Sequence, residues 1–260
     1  MPGNQKGALT VASTLRGEVP ELVFREAVYW MHKAVHVLGA AELHVESGLQ
    51  TWSLSAAYQC AYFAARAILA FFGVSVAELN KISIAVDLCR DMQGVRPQRL
   101  STEGAFGEQI EFRSVGILFD HRQVWQLLQR VLKASSCDVW PTGWCDFLSH
   151  ADIATITKQR HGLHYHLTYW VVDDLHQFVY TDEFKKVKPQ GAGRTLIEPE
   201  QSNYSLALGT MMTRMALKLF HDTSRLTNRL ANERAAIAAG IGPNRHPVFS
   251  ELLAQEFPNS

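Results

Sequence analysis

The sequence carries no surplus of charge: 25 Lys and Arg balance 25 Asp and Glu. A global positive field for non-specific nucleic-acid binding is therefore absent, which leaves open only a local basic patch. Cysteine is scarce as well, with 4 in the chain. Cys60, Cys89, Cys137 and Cys145 form no C-x-x-C pair, and Cys60 sits in an apolar helical stretch. That argues against a disulfide scaffold and against a zinc ribbon. Long apolar runs are missing too. The longest, residues 56–74, is broken by Tyr58, Gln59 and Arg66, which argues against a transmembrane span. Met1 to Ser13 lack a charged stretch followed by an apolar core, so no secretory signal is read there. There is no internal repeat, no low-complexity tract and no Pro/Gly-rich linker that would split the chain into two self-sufficient halves. The expectation is a soluble cytoplasmic protein with no membrane partner.

What is present is a sizeable core. Hydrophobic residues make up 47% and charged residues 19% of 260, which excludes disorder as the overall class. Residues 1–17 are small and polar and are expected to be mobile. Pro20 suits a first helical turn. Leu22, Val23, Ala27, Trp30, Ala34, Val37, Leu38 and Ala41 then recur at helical spacing, which predicts an amphipathic helix ending near Gly48. A second helix is predicted over 51–72 and stops at Gly73. Its stripe of Leu54, Ala57, Ala61, Ala64, Ala65, Ile68, Leu69 and Phe72 is rich in alanine, which suits the centre of a bundle.

Between helices the period changes to two. Ile82, Ile84, Val86 and Leu88 alternate with smaller or polar residues, and Ile110, Phe112 and Ser114 repeat the pattern more weakly. Residues 80–117 are read as an inserted β-hairpin. Helices resume over 121–134, in a short piece after the turn Trp140-Pro141-Thr142-Gly143-Trp144, and over 151–160 with continuation past Gly162 through Tyr169. Pro189, Gly191, Gly193 and Pro199 mark 182–201 as a loop. A long helix over 204–239 and a short one over 248–257 close the chain. The predicted class is mainly α, a helical domain over 18–240 with a hairpin insertion and a helical tail over 241–260.

The chemistry concentrates in Lys158-Gln159-Arg160-His161-Gly162-Leu163-His164-Tyr165-His166. A guanidinium binds phosphate oxygens in bidentate fashion and stabilises developing negative charge. An imidazole takes a proton from a ribose 2′-hydroxyl or gives one to a leaving oxygen. Arg160 and His164 are four apart and share a helical face, whereas Arg160 and His166 are six apart and do not. A site using Arg160 with His166 needs a distorted helix at Gly162 or a second chain facing the first. The same residues also suit an ordinary helix surface, with Leu163 and Tyr165 in the core. A metal reading takes His161, His164 and His166 as ligands with Asp152 or His150. Their spacing fits no H-E-x-x-H or finger pattern.

Two segments resemble the HEPN family (higher eukaryotes and prokaryotes nucleotide-binding). Gly48 to Gly73 looks like the family's helix in which a Ser-Ala-Tyr-like start leads into an Ala-rich run and a terminal Gly. Arg160-His161 followed by His166 is similar to the family's motif of an Arg, a polar residue and a His after four to six intervening residues; here there are five. His164, with three intervening residues, falls outside that spacing. The resemblance spans residues 20–235, with the hairpin region unmatched. It implies a HEPN-like helical bundle and a metal-independent, cofactor-free endoribonuclease acting as a homodimer on RNA. It further implies a toxin or antiviral defence effector with an inhibitory antitoxin or defence-system partner. Arg160 would stabilise the scissile phosphate, His166 would transfer a proton, and His161 would support them. His164 and Tyr165 are further supporting candidates. Inactive branches of the family imply the alternative, a binding or assembly module.

Four more positions offer an RNA-binding face. Arg214, Lys218, Arg225 and Arg229 share one helical face, with His221 among them, opposite Met212, Met215, Leu219, Leu226 and Leu230. Such a stripe is commonly a solvated surface, and beside Arg160 it could hold an RNA backbone. Tyr58, Tyr62 and Arg66, at successive four-residue steps, could contact substrate or pack within the bundle. Arg96 and Arg99 are weaker candidates in the hairpin loop, and Trp140 and Trp144 are read as packing residues.

Overall fold

Alanine governs how closely these helices approach. The computed structural model describes residues 8–10, 18–79, 82–87, 111–114, 120–134, 144–165, 169–171, 195–197 and 199–226. Strand β1 (Ala8–Thr10) is followed by helix α1 (Glu18–Glu46) and helix α2 (Gln50–Phe71). Then come β2 (Val74–Leu79), β3 (Ile82–Asp87) and β4 (Glu111–Ser114). Helices α3 (His121–Ala134), α4 (Trp144–His150) and α5 (Ile153–Tyr165) precede β5 (Tyr169–Val171), β6 (Thr195–Ile197) and α6 (Pro199–Leu226). The protein is mainly α, as expected.

Helix α2 is the axis. It packs against α1, α3, α5 and α6. Its small residues leave almost no side exposed: Ala57, Ala61, Ala64, Ala65 and Ala67 are fully buried, together with Cys60 and Ile68. The closest approach is to α6, where a Cβ on Gly209 would stand 2.9 Å from the Ala57 carbonyl oxygen. Cys60 lies in the same contact, its Sγ 3.0 Å from Thr213 Oγ1, and Thr213 donates to the Gly209 carbonyl at 2.8 Å. Burial pushes the Cys60 thiol up to about 12, which keeps it protonated and unreactive.

Both turns flanking α2 depend on left-handed glycines. Gly48, at φ 72°, ends α1: its N–H donates to Val45 O at 3.0 Å and the Leu49 N–H to His44 O at 2.7 Å. That is the Schellman arrangement, which satisfies two terminal carbonyls. Gly73, at φ 77°, ends α2 and donates to Ala70 O at 2.9 Å. The chain then enters β2 directly. A polar hub fixes this exit. Glu26 of α1 accepts from Trp30 Nε1 at 2.8 Å, from Ser75 Oγ, and from Arg66 Nη2 at 3.4 Å, while Arg66 also donates to Val76 O at 2.6 Å.

The β region exceeds the expected hairpin. β3 and β4 pair antiparallel, Val86 facing Phe112, as the alternation implied. They belong to a four-stranded sheet in the order β1-β4-β3-β2. β2 has the same two-residue period, but it continues the apolar run of α2 and was hidden in it. β1 falls within the segment expected to be mobile and pairs Leu9 with Phe112. Tyr169, expected at the end of a helix, lies instead in β5, which pairs parallel with β6. Its neighbours Trp170 and Val171 favour a strand, and α5 has ended at Tyr165. On α1, Leu22 is 58% exposed because Val23, Ala27, Met31, Ala34 and Leu38 set the buried stripe one position away. The long helix begins at Pro199, a residue suited to a first turn. Its expected continuation to 239, the helix over 248–257, Leu88, and the loop with Arg96 and Arg99 lie outside the described residues.

The α2–α6 contact has a direct test. Gly209→Val is expected to destabilise the protein by about 1–3 kcal/mol, because the Ala57 backbone cannot retreat without moving α2. Thermal unfolding of the variant against the wild type measures it.

Candidate functional site

Helix α5 carries the Arg/His stretch, and two local devices set its position. Asp152 caps it, Oδ1 accepting from the Ala154 N–H at 2.9 Å. Gln129 of α3 donates through Nε2 to the carbonyls of Leu148, at 3.0 Å, and Ala151, at 2.9 Å, which ties the α4–α5 turn to α3. α3 itself begins with a reciprocal cap. The Gln123 N–H donates to Asp120 Oδ1 at 3.0 Å, and the Asp120 N–H donates to Gln123 Oε1 at 2.9 Å. His121 is thereby fixed at the first helical position, facing α2.

Helix α5 is unbroken across Gly162 to Tyr165. No distortion at Gly162 turns the following residue toward Arg160, and His166 lies outside the described residues. Arg160 and His164 share a face, as their spacing requires. The Arg160 side chain lines a concavity with Leu54 and Tyr58 of α2, Ile156 and Leu163 of α5, and Ser205 and Leu208 of α6. Its Nε is buried and without a hydrogen bond among the described residues. Its guanidinium carbon lies 5.6 Å from the centre of the Tyr165 ring. That ring is 63% exposed, with His161 5.0 Å away and His164 6.1 Å away.

Two hydroxyl–imidazole pairs stand beside the guanidinium. Ser55 Oγ is 2.9 Å from His164 Nε2, and Tyr58 Oη is 3.0 Å from His121 Nδ1. Burial pushes the Tyr58 hydroxyl up to about 12, so it stays protonated. Tyr62 stacks on the His121 imidazole at 3.9 Å. Burial first, and Arg160 second, push His121 down to about 4. The same two causes, in the same order, lower His164. A permanent cation thus sits among imidazoles held neutral.

Sequence reasoning did not single out His121, and it gave Ser55 no role. His121 opens a predicted helix just after an Asp, a pattern that signals a cap and nothing more. Tyr58 and Arg66 are turned inward by the crowding around α2. Tyr58 is buried against α3, while Arg66 is engaged by Glu26 and Val76 and lies 4.1 Å from the Trp30 ring centre. On α6, Met212, Met215 and Leu219 are buried as expected. Lys218 pairs with Asp222 at 3.1 Å. Arg214 lies six residues beyond Leu208, about 9 Å along the axis from the concavity. Arg225 belongs to the same helix, and Arg229 lies outside the described residues. Among the described residues, no group of three or more His, Cys, Asp or Glu side chains is placed to hold a metal ion. Among the same residues, no helix is long and apolar enough to cross a membrane.

Residues 27–104 match the family model of the HEPN domain. The HEPN match runs from Ala27 of α1 through α2, β2 and β3. It therefore includes the Ala-rich helix on which the resemblance was first read, and it ends before α5. No curated protein and no solved structure matches the chain.

The neutral histidines make stability depend on pH. His121 takes up its proton near 6.5 when unfolded and near 4 when folded. Across that window the unfolded chain binds more protons, so stability is full above it and is lost as pH falls through it. His164 adds in the same sense. The urea midpoint of wild type is expected to drop between pH 7 and pH 4, and that of His121→Asn to drop less steeply.

Proposed function

We propose that the protein is a HEPN-type endoribonuclease that cleaves RNA by attack of the ribose 2′-hydroxyl on the adjacent phosphate. Arg160 stabilises the charge that develops on the phosphoryl oxygens, and His166 supplies a proton transfer. His161 supports the pair. The observation that carries this reading is the setting of Arg160: a guanidinium whose buried Nε has no hydrogen bond among the described residues, beside imidazoles that burial keeps neutral. A neutral imidazole accepts a proton at physiological pH, and a guanidinium remains a cation throughout. The HEPN match over 27–104 supports the family side of the reading.

The reading pairs the motifs of two copies across one cleft, because a six-residue spacing does not bring an Arg and a His to one face of a helix. RNA approaches that cleft along Arg214, Lys218, Arg225 and Arg229. Such an enzyme serves as a toxin or an antiviral defence effector, and its host restrains it through an inhibitory partner or an activation step. The products carry a 2′,3′-cyclic phosphate and a 5′-hydroxyl.

One observation favours a second reading. The HEPN match ends at residue 104, well short of Arg160. A module that binds RNA, a nucleotide or a protein without turnover would need the bundle and not the motif.

A cleavage assay on total and synthetic RNA in excess EDTA separates the two. Wild type is expected to cleave and to leave cyclic-phosphate ends. Arg160→Ala with His166→Ala is expected to lose at least about 100-fold in rate with folding intact. Loss of RNA binding without any cleavage by wild type would favour the module. Products with 5′-phosphate ends and an absolute metal requirement would refute the proposed mechanism.

A further inference from the structure

Transesterification moves two protons. One leaves the attacking 2′-hydroxyl and one reaches the departing 5′-oxygen, so His166 alone leaves half the transfer without a carrier. Resting on the preceding reading, we propose that His164 is a second proton-transfer residue of this site and that Ser55 is the positioning residue that holds its ring.

The geometry is specific. Arg160 and His164 stand one turn apart on an unbroken α5, which puts both on the face turned to α2. There Ser55, a buried residue in the second turn of α2, meets His164 Nε2 at 2.9 Å across 109 residues of chain. A buried hydroxyl without a partner is costly, and here the partner is an imidazole that remains exposed to solvent. When the Nε2–H donates to Ser55 Oγ, the ring proton is fixed on Nε2 and Nδ1 is left as the acceptor.

The step then balances. The 2′-O–H bond breaks and its proton passes to His164 Nδ1. The O2′–P bond forms, the P–O5′ bond breaks, and O5′ takes a proton from His166. Water afterwards takes the proton from His164 and returns one to His166, which restores both groups. Besides Ser55, the groups around this ring are Arg160 and Tyr165 of α5 and His121 of α3. Burial first, and Arg160 second, favour the unprotonated imidazole, which is the form a base requires.

The test combines cleavage kinetics on a short single-stranded RNA with ¹⁵N-histidine NMR of the full chain. His164→Ala is expected to lower kcat by about 100-fold while KM stays within about threefold. Ser55→Ala is expected to lower kcat about tenfold and to abolish the Nε2-protonated tautomer of His164, and Ser55→Thr is expected to restore both. A wild-type kcat in His164→Ala, or an unchanged tautomer in Ser55→Ala, would overturn the inference. Arg160→Ala keeps the two levels apart. If it cleaves like wild type, the reading of the site fails; if it is inactive while His164→Ala is fully active, only the present inference fails.

Discussion

Everything in this fold depends on how near α6 can come to α2. The approach of Gly209 to the Ala57 carbonyl sets that separation, and the run of fully buried alanines extends it along the axis. A helix so closely covered keeps only one narrow half-exposed face, along Trp52, Ala56, Gln59 and Phe63, and Ser55 and Tyr58 are buried away from it. Its hydroxyls must therefore find partners on neighbouring helices. Ser55 and Tyr58 do so on His164 and His121, which makes the packing constraint the origin of the polar site. The same crowding turns Arg66 toward Glu26 and the start of the sheet, where it has an architectural task.

The site is unusual in how it separates charge from proton affinity. Arg160 is the fixed cation. The imidazoles next to it are held neutral by burial and by that cation, so they neither repel it nor compete with it for an anion. The rigidity comes from elsewhere. Gln129 bonds the turn before α5, and the reciprocal Asp120–Gln123 cap fixes the start of α3. Neither device touches the reactive groups, yet both decide where those groups stand.

Periodic segments of the sequence were legible and cross-chain pairings were not. The bounds of α1, α2 and α3 follow from apolar spacing and terminal glycines, and they were anticipated within one or two residues. β2 was missed because its alternation begins where a buried helix ends, and both look apolar. β1 was missed because three residues of strand carry no periodicity of their own. At the site, Arg160 and His164 were visible as an i, i+4 pair. Ser55 and His121 were not, since each meets its partner across a separation that no local pattern encodes. The Cys60–Thr213–Gly209 contact escaped for the same reason.

The place of His121 has one further consequence. It occupies the first turn of α3, where the unpaired N–H groups of a helix give a partial positive charge. That field adds to Arg160 and works against an imidazolium there. The site therefore presents a polyanion with one full charge from the guanidinium and little from His121 and His164 beside it. Counterion release by this spot alone amounts to about one ion, a weak dependence of affinity on salt. Any steep salt dependence of nucleic-acid association by this protein would have to arise on a different surface of the molecule.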